Sequence, residues 1–590
     1  MGVSWPYASG NIHMGHLAGQ YVVCDIFARY HRLKGNQVLM VSGSDCHGAP
    51  VEFKAEEQGI SPEELAQKSH DTILDTYKRL GFLYECYTKT ATENHKVVAQ
   101  NLFTVLKENG YLITQTSKQY YDPKVDRFLP DRYVRGTCPN CKATNARGDE
   151  CPECGTYLEP EQLIDPYSTL SDATPIMKET EHFYVDLKSL EPKLQEYADA
   201  TSKNWRKWVR EFSLGWLRQG LEPRPITRDT TYGVPVPVEG WEKKSMYVWF
   251  EAVIGYLSAA IEWADNQGEP GKWQDFWKNP EAKHYYFIAG GNVPFHTIMW
   301  PGEIIGYNEK YQNDALYEAN KLPGEDSKEP LQLPFDVPAN NMLFYRGKKM
   351  SKGDGTGITV DQILDLFGPD ALRFFFARYA PENQDREFIW KDFIDANNNE
   401  LVANLGNFIN RTLIFVERYF EGRVPEGSLD AEVEKAVRSA FNEVGGAIEK
   451  AKFVKATEEL LALGFFANKY FNDSEPWVAV KDDSSKAAQT IHNCVQIVNA
   501  FRVLLKPFTP FAADKLSDML NYTNIKRDQE YIYDANADLE RTGKVSHLID
   551  TWFVKKDTND LPVGHQIGKA EILFPKFEYS EELEKQDKGE

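Results

Sequence analysis

No stretch of this chain is apolar for long. Hydrophobic residues make up 42% of it and charged residues 26%, a globular profile that argues against a transmembrane helix. No charged and apolar leader precedes the first motif, which points to the cytoplasm. Basic residues are outnumbered, 67 Lys and Arg against 88 Asp and Glu. The resulting net charge of −21 repels a phosphate backbone at long range and opposes indiscriminate nucleic-acid binding, while leaving room for a local basic track. Neither GxxxxGK[ST] nor a GxGxxG fingerprint after a strand occurs, so the nucleotide folds built on those loops lose support. No internal repeat is found. A length of 590 residues exceeds one core and predicts two to four domains.

What is present is a pair of phosphate-handling elements. The first runs from Pro6 to His16, with Val3–Trp5 reading as a short buried strand, Pro6–Gly10 as a turn and His16–Ala28 as the helix behind it. This places His13 and His16 at a helix start, where free amides and the macrodipole favour anions, and three-residue spacing puts both imidazoles on one side of the first turn. Taken alone, they read equally as ordinary surface histidines. The second element is Lys348–Gly353, followed by Gly355 and Gly357. Such a loop can close over a ligand and reopen, while Lys349 and Lys352 neutralise a polyphosphate.

Cysteine is scarce but concentrated. Four of eight fall in Cys138-Pro-Asn-Cys141 and Cys151-Pro-Glu-Cys154. Two CxxC pairs this close predict a tetrahedral four-thiolate site suited to one structural zinc ion, with no open coordination position. Lys142–Glu150 between them has almost no apolar material, so the metal is expected to supply folding energy. Cys24, Cys46, Cys86 and Cys494 stand alone.

The first 115 or so residues alternate between strand and helix patterns: a strand at Gln37–Val41, a helix at Pro62–Leu80 opened by Ser61, and another at Asn94–Glu108 closed by Gly110. Residues from about 116 to 225 interrupt this pattern, and the sheet is expected to resume at Met246–Phe250 and His284–Ile288. Asn397–Phe420, Ala431–Lys452, Ala456–Phe471 and Ser485–Leu505 carry apolar residues at three and four spacing, predicting a helical bundle. The charged end, Glu581–Glu590, reads as disordered. In Lys203–Arg210 cations alternate with Trp205 and Trp208. That fits either a nucleic-acid track or an amphipathic helix with its tryptophans turned inward.

HMGH at 13–16 and KMSKG at 349–353 together resemble the two defining motifs of class I aminoacyl-tRNA synthetases. WPYASG at 5–10, GSDCHG at 43–48, the two cysteine pairs, MYVWFEAVIGY at 246–256, PFHTIMWPG at 294–302 and GNFINR at 406–411 resemble the methionyl branch over nearly the whole chain. The resemblance implies an α/β fold: a Rossmann-like parallel sheet in two halves, 1–115 and 226–329, split by a connective insertion, 116–225, with the zinc knuckle. A KMSKG loop and stem-contact region, 330–372, a helical anticodon-binding domain, 373–540, and a partly disordered extension, 541–590, follow.

It also implies two-step chemistry. ATP and methionine form methionyl-adenylate and pyrophosphate, and the methionyl group then passes to the terminal ribose of tRNA(Met), including the initiator. His13, His16, Asn292, Lys349 and Lys352 would bind ATP with Mg2+, and His13, His16, Lys349 and Lys352 would carry catalysis. Asp45 would hold the ammonium with Arg228 as companion; Trp5, Tyr7, Trp249, Tyr256, Phe295 and His296 would line the methionine pocket. Asn407, Arg411 and Trp477 would read the anticodon. With only about fifty residues after the bundle, too few for a further tRNA-binding module, a monomer is expected.

One departure stands out. Where the family usually has GKDN ahead of PFH, this chain has Gly290-Gly291-Asn292, and losing a lysine and a carboxylate there would weaken activation by roughly a few kcal/mol unless other groups substitute. Trp5 and Gly353 replace the usual leucine and serine. A paralogue acting mainly as a tRNA-binding or regulatory protein, and a class I ligase for another amino acid, remain alternatives.

Overall fold

The computed structural model describes residues 1–129, 133–148, 151, 153–154, 158, 162–350, 359–522 and 561–588. Its centre is a parallel sheet. Strands β1 (Gly2–Val3), β2 (Val41–Ser44), β3 (Cys86–Lys89), β4 (His284–Ala289) and β5 (Pro334–Asp336) lie in the order β5-β4-β1-β2-β3, and β6 (Ala339–Asn340) pairs with the end of β4. All these pairings are parallel, and helical crossovers supply the connections that parallel strands need. Strand order reverses at β1, which opens a crevice beyond the carboxyl ends of β1 and β4, where open α/β sheets bind ligands.

Both sheet faces are covered. On one side a continuous core runs from the helix Val22–Leu33 through Phe374–Phe376 into the bundle at Leu401, Leu460 and Val498. On the other, Leu102, Phe250, Leu257 and Trp300 form a second core that takes in Leu187 and Leu190 of the insertion. The insertion, between β3 and β4, carries a four-stranded antiparallel sheet whose long central pair is Leu112–Asp122 against Ile176–Val185, with Arg127–Phe128 and Arg224–Pro225 at its edges. The cysteine module lies beyond the far end of that pair, and helices Leu187–Thr201 and Lys207–Gln219 come after it. The bundle is built on Asn407–Tyr419, Ala431–Glu449, Phe453–Ser474 and Ser484–Leu504. No described helix is long and apolar enough to cross a membrane.

Several local expectations need correction. The first strand is Gly2–Val3, not Val3–Trp5, and the second is Val41–Ser44, not Gln37–Val41. Ser42, Gly43 and Ser44 look polar in sequence, yet all are buried. Ser42 Oγ donates to Val3 O at 3.0 Å, and Ser44 Oγ sits 2.9 Å from both the Tyr87 hydroxyl and His70 Nδ1, so hydrogen bonds offset their desolvation. Met246–Phe250 does not rejoin the main sheet: Ser245–Met246 pairs with Thr227–Arg228, and a helix begins at Val248. A short apolar run cannot separate these outcomes by periodicity. Glu581–Lys588, expected to be disordered, is a helix whose Asp587 carboxylate accepts the Trp390 and Lys391 amides at 2.8 and 3.0 Å.

The sheet and bundle are joined at Asp25. Its fully buried carboxylate accepts from Arg29 Nε at 2.7 Å, Arg373 Nη2 at 2.6 Å and Leu83 N at 2.9 Å. Arg373 in turn donates to the carbonyls of Phe508, Leu80 and Pro507 at 3.1, 3.2 and 2.9 Å. Burial pushes the Asp25 carboxyl up, but Arg29 and Arg373 outweigh it and hold it below its ordinary value. Its stabilisation is therefore complete above about pH 4 and is lost as acid passes from the unfolded-chain value down to the lowered one. Asp25→Asn leaves two buried guanidinium groups without their anion and should lower the unfolding free energy by about 3 to 5 kcal/mol. Urea unfolding followed by circular dichroism checks this, and a loss below about 1 kcal/mol would show the pair to be inessential.

Candidate active site

The crevice is framed first by the HMGH segment. His13 is the N-cap of a helix that starts at Met14, passes through a wide π turn at Leu17–Tyr21 and continues to Leu33. The His13 and His16 rings lie 3.8 Å apart, and His16 Nδ1 accepts the His13 backbone N–H at 3.2 Å. Gly15 leaves room for the ring, since a Cβ there would sit 3.0 Å from the His13 ring and press on it. The same Cβ would come 3.7 Å from Met350 Cβ, so the two motifs, over 300 residues apart in sequence, meet at this turn. Asn11 Nδ2 adds a tether, donating to Asp361 Oδ2 at 2.8 Å and Thr76 Oγ1 at 3.0 Å. Lys348–Lys349 forms a strand against Leu343–Tyr345. The Lys349 side chain and Lys352 lie outside the described residues.

Beside the helix, the ends of β1 and β2 bring Tyr7 and Asp45 together. Ala8 N donates to Asp45 O at 2.7 Å and Asp45 N to Pro6 O at 2.9 Å. The Asp45 carboxyl is buried and its Oδ1 has no hydrogen-bond partner. Burial and the nearby Glu251 charge push it well above the ordinary carboxylate range, as expected of an acid awaiting a cation. Arg228 is not paired with Asp45; its guanidinium lies 3.7 Å from the Tyr247 ring centre and donates to Thr227 O at 2.9 Å.

Aromatic residues make the adjoining wall. Trp249 stacks on Phe295 at 4.3 Å, and Tyr7 meets Trp249 edge-on at 6.2 Å. Trp5 lies edge-on to Tyr256 at 6.5 Å. His296 is buried, with Nδ1 2.9 Å from Asn292 O and Nε2 2.8 Å from the Tyr256 hydroxyl. The carbonyl fixes the proton on Nδ1, so Nε2 accepts from Tyr256. Burial lowers His296 to about 4, leaving it neutral at physiological pH. Tyr256 and His296 are thus committed to each other, and the wall offers mainly ring surface, which suits a polarisable apolar side chain.

The sequence motifs held one group to which no role had been assigned. Glu251 is fully buried, with His47 Nδ1 and His95 Nε2 each 2.6 Å from one of its oxygens. Burial pushes its carboxyl up, but the imidazoles prevail and hold it at about 2. His47 follows Asp45 by two residues and Glu251 follows Trp249 by two; only their position inside quoted motifs could have marked them.

Away from the crevice, Cys138, Cys141, Cys151 and Cys154 form a set able to hold a metal ion, their sulfurs all within 4.8 Å of one another. The sulfurs of a tetrahedral thiolate site with 2.3 Å bonds lie about 3.8 Å apart; Cys138–Cys154 is 3.9 Å and Cys141–Cys151 3.5 Å. In the bundle, the Arg411 guanidinium lies 4.4 Å from the Phe471 ring centre, and Trp477, 39% exposed, lies 5.9 Å from the same ring. Asn407, exposed, is one turn before Arg411 on the same helix. Asn292 closes the short turn after β4. The Lys203–Arg210 segment is not an open track: Trp205 is buried and Arg206 is enclosed by backbone carbonyls.

Comparison with known proteins agrees with this geometry. Residues 1–413 match the family described as tRNA synthetases class I (M), and residues 424–560 match the anticodon binding domain of methionyl tRNA ligase. The Methionine--tRNA ligase of Thermomicrobium roseum is 43% identical over 524 residues, covering 88% of this chain and 86% of that protein. That of Roseiflexus castenholzii is 40% identical over 593 residues, covering 98% and 96%. The fold matches that of Mycobacterium tuberculosis methionyl-tRNA synthetase in complex with methionyl-adenylate, with a TM-score of 0.74 at 21% identity over 97% of this chain and 99% of that one. A family match over the catalytic part, a second over the bundle, and relatives at this identity across almost the full length establish that the chain belongs to the class I methionyl-tRNA synthetase family.

Proposed function

We propose that the chain is a methionine:tRNA ligase, forming methionyl-adenylate and pyrophosphate from methionine and ATP and then passing the methionyl group to the 3′-terminal ribose of tRNA(Met), initiator included. The observation that carries this is the meeting of Gly15 and Met350 at the carboxyl edge of the sheet, next to an aromatic wall and a buried, partnerless carboxylate oxygen on Asp45. Substrate carboxylate is already a nucleophile, so positioning and charge stabilisation suffice for the first step. His13, His16, Asn292, Lys349 and Lys352 would hold the nucleotide, with His13, His16, Lys349 and Lys352 stabilising charge moving to pyrophosphate. Mg2+ bound with ATP would shield that charge further.

Asp45 would take the ammonium, whose arrival restores its negative form. Arg228 would join only after turning from Tyr247. Trp5, Tyr7, Trp249, Tyr256, Phe295 and His296 would enclose the thioether chain. Asn407, Arg411 and Trp477 would read unpaired anticodon bases, by amide and guanidinium edges and an exposed indole. The domain division expected from the sequence belongs to this reading, with the sheet strands Pro334–Asp336 and Ala339–Asn340 falling in its 330–372 segment. We place the protein in the cytoplasm.

Amino-acid-dependent ATP–pyrophosphate exchange, run with all twenty amino acids, tests the reading: methionine should support it and the others should not. Lys352→Ala should lower turnover about 100- to 1000-fold with little change in methionine KM, because it removes an interaction strongest in the transition state. His296→Ala should mainly raise methionine KM and weaken discrimination against similar apolar amino acids, where each methylene is worth about 1 to 3 kcal/mol. Absence of exchange with every amino acid would favour a tRNA-binding paralogue, the reading suggested by Gly290-Gly291.

The four-thiolate set would hold one structural zinc. Stripping it with a chelator should unfold the module while exchange activity, centred in the crevice, changes less; protease cleavage within 138–154 reports the first effect. Metal-free protein as resistant to cleavage as the parent would refute the assignment. A monomer is expected, and a dimer mass in sedimentation at all concentrations would contradict it.

A further inference from the structure

Three parts of the fold meet around one guanidinium. Arg206 precedes the second insertion helix, Lys207–Gln219. Its Nη1 donates to Ala339 O at 2.7 Å, to the Asn340 side-chain oxygen, and more weakly to Glu382 O at 3.4 Å. Its Nη2 donates to Ala451 O at 2.7 Å, in the turn between the bundle helices Ala431–Glu449 and Phe453–Ser474. Glu382 belongs to the same cluster: its Oε1 accepts the Phe453 amide at 2.6 Å and the Val454 amide at 3.2 Å, and its carbonyl accepts Trp208 Nε1 at 3.0 Å.

Two arms run from this cluster to the crevice. Asn340 is fully buried, and because its oxygen faces Arg206, its amide must point the other way; Nδ2 donates to Ala18 O at 2.8 Å. Ala18 lies in the wide turn directly after His16, where π geometry leaves a carbonyl needing such a partner. The second arm is the Trp208 ring, which lies 3.4 Å from where a Cβ on Gly290 would stand. A cavity of about 1560 Å³ opens among the same three parts, with Arg206, Glu382 and Ala451 in its wall. Contact through Arg206 is therefore made beside open space rather than within continuous packing.

We propose that Arg206 is a positioning residue for adenylate formation: it fixes Asn340, and through it the turn after His16, in register with the 450–454 turn of the bundle. The proposal rests on the ligase reading for its kinetic consequence but has its own structural readout. The guanidinium can span four acceptors on three chain segments because its donors form a planar fork; a lysine cannot. Displacement of a phosphate-binding helix by a fraction of an ångström is the kind of change to which reaction rate is sensitive and folding is not.

The test compares Arg206→Gln, Arg206→Lys and Glu382→Ala, which removes the acceptor of the Phe453 and Val454 amides, with the parent at a temperature well below every melting transition. Each should lower turnover in methionine-dependent exchange by about ten- to hundredfold with methionine KM changed less than twofold. The double variant Arg206→Gln/Glu382→Ala should be no slower than the slower single, since both break one linkage. Independently of activity, amide hydrogen exchange in ligand-free Arg206→Lys should quicken at residues 14–21 and stay at the parental rate at 98–106, on the other sheet face. Parental turnover in folded Arg206→Lys, or unchanged exchange at 14–21, overturns the proposal while leaving the ligase reading intact. A parent inactive with every amino acid overturns the ligase reading, and the amide measurement then decides the positioning role by itself. Should Arg206→Gln fail to fold, the lysine variant and Glu382→Ala carry both readouts.

Discussion

The geometry of the crevice depends on how one buried charge is satisfied. Asp25 sits on the helix that begins at His13, and Arg373, which it binds, lies between the sheet and the bundle. A carboxylate with no exposure is tolerated only when fully paired. Here two guanidinium groups share it, and the surplus positive charge faces carbonyls at helix ends, Leu80 and Gly81 after Pro62–Leu80 and Phe508 after Ser484–Leu504. Those ends carry partial negative charge. The charge balance thus closes only when the sheet helix, its neighbour and the bundle are all in place, which sets the direction in which His13 and His16 enter the crevice.

Electrostatics inside the crevice follow a different logic. Glu251 is satisfied by His47 and His95 and stays ionised, whereas Asp45 nearby is left short of partners and is driven toward its neutral form. Two acids at similar depth are thereby separated in role: one is part of the scaffold, the other is poised to change state when a cation arrives. His296, held neutral, adds no charge to the wall on which an uncharged side chain would rest.

Much of this was legible in sequence because its signals are local. The cysteine pairs need only two tight turns, the helix Pro62–Leu80 announces itself with Ser61 and ends at Gly81, and the bundle helices repeat at helical spacing. The parallel sheet and metal-binding insertion were likewise readable as a fold class. What was not legible depends on distant partners. Ser42 and Ser44 are strand residues because Val3, Tyr87 and His70 satisfy them. Arg206 reads as part of a basic surface until its acceptors, from Ala339 to Ala451, are brought around it. The emptied Gly290 position looked like a loss of function groups, and only the fold shows an indole from the insertion lying against it. Arg228 points onto Tyr247, an orientation that no spacing in the chain encodes.

Trp5 constrains its neighbours. Its indole lies so close to the helix carrying Tyr256 that a Cβ on Gly255 would come within 2.7 Å of the ring, and one on Gly43 within 2.4 Å. A side chain at either glycine would overlap the indole, so the ring would have to shift to admit it. At Gly43 the Thr88 carbonyl, 2.6 Å from the same point, forbids it in any case. At Gly255 the three nearest atoms all belong to Trp5. Changes in this corner are therefore coupled: alanine at 255 asks the ring at residue 5 to move or shorten, and tryptophan at 5 favours glycine at 255.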